Sequence, residues 1–168
     1  MSGISPQASR DLLSPGDPAP DFELPALVAG VKKRFRLQEQ LQKGSVLLAF
    51  YPLNWETVSA RQLVEYQAER DKLPKNGEVV GVSVDSIMNT TVWEREIGPL
   101  EYPLCSDFWP HGEVSQQYGV FREKDALAGT SERAVFVITG NGKIAFRKVY
   151  GLEEVPPFAE ALEAMQKH

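Results

Sequence analysis

The run Val46-Leu47-Leu48-Ala49-Phe50-Tyr51 is apolar at every position, where a strand with one wet face would alternate. Residues 45–51 are therefore predicted to form a central strand covered on both faces. Residues 60–73 place Leu63, Tyr66 and Leu73 near one face among charged positions, which predicts an amphipathic helix ended by Pro74, Asn76 and Gly77. A second apolar run at 79–84 completes a strand, helix, strand unit, whose two strands should be parallel and whose crossover should be right-handed. Ser86 opens another helix through Val92, Trp93 and Ile97, stopped at Gly98-Pro99.

Shorter signals fill the rest. Residues 21–27 alternate loosely as a strand, Phe35 and Leu37 suggest a second, and residues 38–42 a helical turn. Residues 102–105 predict a short strand, Pro110 starts a brief helix that runs to Tyr118, and residues 121–132 read as loop. Two apolar runs at 134–138 and 144–146 flank Thr139-Gly140-Asn141-Gly142-Lys143, the signal of an antiparallel hairpin. A last helix over 155–166 is amphipathic through Phe158, Leu162 and Met165, with Pro156 and Pro157 near its start. The order implies an α/β fold: a mixed central sheet with helices on both faces.

The polar stretch before Ser14-Pro15-Gly16-Asp17-Pro18-Ala19-Pro20 predicts a flexible tail over 1–15 and a single domain over 16–168. A chain of 168 residues, 42% hydrophobic, fits one domain with one sizeable core. A net charge of -5 leaves no basic stripe, which argues against nucleic acid or anionic membrane as partners. No stretch approaches the roughly 18 apolar residues of a membrane span, and the first residues lack a basic start leading into an apolar core. A cytoplasmic location is expected. Cys105 is the only cysteine, and His111 and His168 are the only histidines, so neither an internal disulfide nor a zinc site is expected, and no cofactor is implied.

Three segments carry a resemblance. Phe50-Tyr51-Pro52-Leu53-Asn54-Trp55-Glu56-Thr57-Val58-Ser59 resembles the peroxiredoxin signature F-Y-P-x-x-x-T-x-x-C, with Pro52 matched, Glu56 at the threonine position and Ser59 at the cysteine position. Tyr102-Pro103-Leu104-Cys105-Ser106-Asp107 and Tyr118-Gly119-Val120 are similar to that family's P-L-x-S-D … Y-G-V segment, and Arg133 matches its active-site arginine. The likeness spans residues 16–149 in family order and spacing. The phrase around Trp109 and His111 is most similar to the one-cysteine branch related to bacterial alkyl hydroperoxidase E. The resemblance implies a thioredoxin-like AhpC/TSA fold, reduction of hydrogen peroxide and alkyl hydroperoxides, and a site built from Pro52, Glu56, Ser59 and Arg133.

That chemistry needs a thiolate that attacks the peroxide O–O bond and returns from a sulfenic acid with the help of another thiol, here unidentified. A helix first turn and a nearby arginine lower the thiol pKa. Serine stays protonated, is a poorer nucleophile toward peroxide and has no sulfenic state, so the site as it stands should not turn over. A hydrolase-type serine would need an adjacent base, and neither histidine is placed by sequence to act as one.

Each candidate also has a plainer reading. Ser59-Ala60-Arg61-Gln62 fits a capping box, in which Ser59 and Gln62 exchange bonds at a helix start. Glu56 either pairs with Arg133 or is a solvated loop carboxylate, and Arg133 either serves the pocket or is a surface arginine on a strand edge. Cys105, at the end of a strand, has nothing to lower its pKa and reads as buried and inert. Met88 and Asn89 stand where some relatives carry a second cysteine, which removes a two-cysteine cycle within the chain.

Three functions remain open at this level. One is a family member without its nucleophile, acting as a binding or interaction module that takes a hydroperoxide or small ligand in the old pocket. Another is an active antioxidant oxidoreductase carrying an introduced serine, and the third is a separate thiol role for Cys105. A homodimer is expected, with Trp55, Phe108 and Trp109 as an aromatic patch.

Overall fold

A computed structural model describes residues 13–168. Its elements are β1 (Glu23–Val28), β2 (Val31–Arg36), α1 (Leu37–Lys43), β3 (Val46–Phe50), α2 (Thr57–Glu69), β4 (Glu78–Ser83), α3 (Ile87–Ile97), β5 (Leu104–Ser106), α4 (Glu113–Gln117), β6 (Arg133–Ile138), β7 (Ile144–Tyr150) and α5 (Phe158–Gln166). The tail expected over 1–15 lies, as far as residue 12, outside the described residues. Leu13 already packs on the core.

The strands form one mixed sheet in the order β2-β1-β5-β4-β3-β6-β7. The uniformly apolar run at 46–50 lies at its centre: every β3 residue is fully buried, with β4 parallel on one side and β6 antiparallel on the other. Alternate residues then serve two cores. Leu48 and Phe50 pack with Leu37 and Leu41 of α1 and Val114 of α4, while Leu47 and Ala49 pack with Leu63 and Tyr66 of α2, Trp93 of α3 and Phe158 of α5. Helices on both faces thus explain why every position of β3 is apolar.

Element ends differ from the sequence expectation where side chains cap helices. The helix expected from residue 60 begins at Thr57, because Glu56 rather than Ser59 is its N-cap. The last helix begins at Phe158 and not at 155, since Pro157 remains extended at ψ 128°. The helix expected from Pro110 starts at Glu113, where the buried Asp107 carboxylate accepts from the N–H groups of Val114 (3.0 Å) and Ser115 (2.8 Å).

Cys105 sits in β5 between Ala26 of β1 and Val82 of β4, buried in the sheet. Burial first, and the neighbouring Asp107 second, push its thiol well above the ordinary cysteine value. Because the thiolate is the reacting form, labelling at neutral pH is expected to be on the order of a hundredfold slower in the folded protein than in denaturant. Rapid labelling of the folded chain would overturn the inert reading.

Candidate functional site

The site lies where β3 ends and α2 begins. Register brings its far half close: Phe50 pairs with Ala134, so Arg133, first residue of β6, lies beside the end of β3. Ser131 ties the strands there by donating its hydroxyl to the Tyr51 carbonyl at 2.9 Å.

Glu56 is extended (φ -112°, ψ 133°) and turns its carboxylate back over the first turn of α2. Oε2 accepts from the Val58 N–H at 2.7 Å; Oε1 accepts from the Ser59 N–H at 3.0 Å and the Ser59 hydroxyl at 2.7 Å. Oε1 also meets Nη2 of Arg133 at 2.7 Å. A carboxylate here satisfies two N–H groups that the helix leaves unpaired and carries the charge its N-terminus favours, which a serine cap could not match. Burial pushes the Glu56 carboxyl up, but the hydrogen bonds from Ser59, Arg133 and the Val58 N–H outweigh it and hold it below the usual carboxylate value.

Arg133 is 1% exposed, so the surface reading does not hold. Its guanidinium donates to the Ser59 hydroxyl (3.0 Å), Glu56, the Gln62 side-chain oxygen (3.4 Å) and, through Nη2 and Nε, the Leu152 carbonyl (2.8 and 3.2 Å). Gln62 therefore serves Arg133 and does not return a bond to Ser59, so the expected capping box does not form. Gln62 is itself fully buried, and its side chain also reaches Tyr66. Ser59 is fully buried, its proton given to Glu56 and its lone pair taken by Arg133. The carboxylate that accepts from it is already paired with Arg133, and His111 is engaged with the Gly129 carbonyl instead, at 2.7 Å.

Of the residues expected from sequence, Ser59, Glu56 and Arg133 meet in one hydrogen-bonded cluster. Pro52 is buried in the same β3–α2 loop. Cys105 contributes nothing to this cluster.

The loop itself is held by a residue that sequence reasoning passed over. Asn54, 1% exposed, accepts from the Tyr51 hydroxyl and donates Nδ2 to Asn89 and Thr90 of α3, each at 2.9 Å, while its N–H reaches Asp85 at 2.8 Å. Trp55 next to it adopts φ 68°, a left-handed backbone uncommon outside glycine. Its indole N–H bonds Asn89 at 2.9 Å, and its ring packs on Trp93. Trp55, Phe108 and Trp109 are 53%, 51% and 78% exposed. Among the described residues no group of three or more His, Cys, Asp or Glu could hold a metal ion, and no helix is long and apolar enough to cross a membrane.

Comparison with known proteins covers most of the chain. The AhpC/TSA family profile matches residues 15–147. Peroxiredoxin-2 of Bos taurus is 36% identical over 160 residues, covering 90% of this chain and 76% of the relative. Alkyl hydroperoxide reductase E of Mycobacterium bovis is 34% identical over 142 residues, covering 82% and 86%. The reduced 2-Cys peroxiredoxin of Plasmodium vivax superposes with a TM-score of 0.81 at 26% identity, over 90% of this chain and 94% of that one. Mycobacterium tuberculosis AhpC, at 23% identity and a TM-score of 0.80 over 93% of this chain and 98% of that one, shares the fold. With its seven-stranded mixed sheet flanked by helices, this chain has the thioredoxin-like fold and belongs to the AhpC/TSA family, the peroxiredoxins.

Proposed function

We propose that this chain is a peroxiredoxin without a peroxidase cycle of its own, and that it acts as an interaction module through the rim of the old pocket. One observation carries the reading. Ser59, in the first turn of α2 where the family signature has its cysteine, offers no thiol and is locked between Arg133 and a Glu56 carboxylate that Arg133 already neutralises. The Glu56 carboxylate occupies the positive field that a thiolate would require, which favours natural divergence over a serine introduced into an otherwise active enzyme.

A separate role for Cys105 finds no support in its surroundings, since burial and a carboxylate both disfavour its thiolate. We also propose a homodimer that uses the exposed aromatic residues Trp55, Phe108 and Trp109. Light scattering at micromolar concentration is expected to return twice the chain mass of 18.7 kDa. A monomer mass would remove that proposal. The functional reading itself is tested by thiol-dependent hydroperoxide turnover, expected at the rate of buffer alone.

A further inference from the structure

The pocket already contains an anion, supplied by the chain. Four donors from two separated parts of the sequence converge on the Glu56 carboxylate: the Val58 N–H on Oε2, and the Ser59 N–H, Ser59 hydroxyl and Arg133 Nη2 on Oε1. Arg133 is buried and, among the described residues, Glu56 is the acidic side chain paired with it, so this site has a full buried positive charge besides its helix N-terminus.

Glu56 differs from the rest of the cluster. Its side chain is 31% exposed against 1% for Arg133, so it enters from the rim. Emptying the carboxylate position would leave a buried cation with two N–H groups and a hydroxyl facing it, an arrangement that cannot stay without an acceptor at low cost.

We propose that Glu56 is a built-in ligand which closes a binding site for small monocarboxylates. One oxygen held by the guanidinium, the Ser59 N–H and the Ser59 hydroxyl, and the other by the Val58 N–H, suit a planar carboxylate of single charge. The stem of Glu56 marks the path along which a ligand's tail would leave toward solvent. This inference rests on the reading that the site no longer holds a thiolate, and deepens it by giving the pocket a ligand class and a plug.

The test uses acetate and formate as probes on the full chain carrying Glu56→Ala, with Glu56→Ser beside it because serine retains a helix cap if the alanine variant folds poorly. At constant ionic strength, set with chloride, acetate should raise the melting temperature of either variant saturably, with half-saturation in the millimolar range. The backbone amide resonances of Val58 and Ser59 should shift with the same midpoint. The parent chain and Glu56→Gln, whose slot stays filled, should show neither effect.

Equal melting-temperature gains in parent and variants, or no saturable shift at Val58 and Ser59, would overturn the proposal. No peroxide enters this experiment. Peroxidase turnover by the parent would therefore defeat the functional reading separately from the carboxylate site.

Discussion

Restoring the sulfur alone through Ser59→Cys is expected to yield a thiol that hydroperoxide oxidises slowly, and adding Glu56→Thr is expected to accelerate that oxidation on the order of a hundredfold near neutral pH. The Ser59 hydroxyl lies 2.7 Å from Glu56 Oε1, and the same oxygen holds Arg133 Nη2 at 2.7 Å. A thiolate placed there would face a carboxylate that repels it and an arginine whose charge is already neutralised. Opposite or like charge at such range moves a pKa by about 1–3 units, and each unit above the working pH removes tenfold of the thiolate. Removing Glu56 releases Arg133 to the sulfur, while threonine returns the residue of the family signature. The rate is read by trapping the sulfenic acid over a pH series, with Cys105→Ala in both variants. A single variant as fast as the double would show that Glu56 does not control the field at residue 59.

The second large effect concerns stability. Glu56→Ala is expected to cost about 3 kcal/mol in urea denaturation, because it leaves the guanidinium of Arg133 buried and uncompensated and also strips the helix of its cap. Arg133→Met leaves Glu56 able to turn toward water, so the double variant should cost about 2 kcal/mol less than the sum of the singles. An exposed pair behaves otherwise: Glu23, 39% exposed beside Arg34 at 56%, should lose far less stability on Glu23→Ala. Strict additivity at Glu56 and Arg133 would contradict the buried pairing.

How much of this was legible in the sequence depends on the kind of signal. The central strand was readable because a strand covered on both faces must be apolar throughout, and residues 46–50 are. The start of α2 was misread for a physical reason. Ser59 and Gln62 have capping-box spacing, yet a carboxylate three residues earlier takes the Ser59 N–H that Gln62 would have needed and starts the helix at Thr57. The burial of Arg133 could not be inferred locally, since it depends on β6 lying antiparallel against β3 and on Glu56 arriving from another segment. The Leu152 carbonyl that shares the guanidinium has no side-chain signature at all. Asn54 escaped notice because a single asparagine between Leu53 and Trp55 looks like ordinary loop until α3 is seen packed beside it.

Peroxide turnover bears on the central claim more directly than any structural probe. The purified chain and its Cys105→Ala variant should be mixed with hydrogen peroxide or an alkyl hydroperoxide and an excess of a dithiol, and peroxide loss followed against buffer. No loss above buffer is expected from either protein, because Ser59 has no sulfenic state and Cys105 is buried with its thiol held protonated. Turnover by the parent that survives Cys105→Ala would contradict the claim, since the only thiol in the chain would then have been excluded as its source.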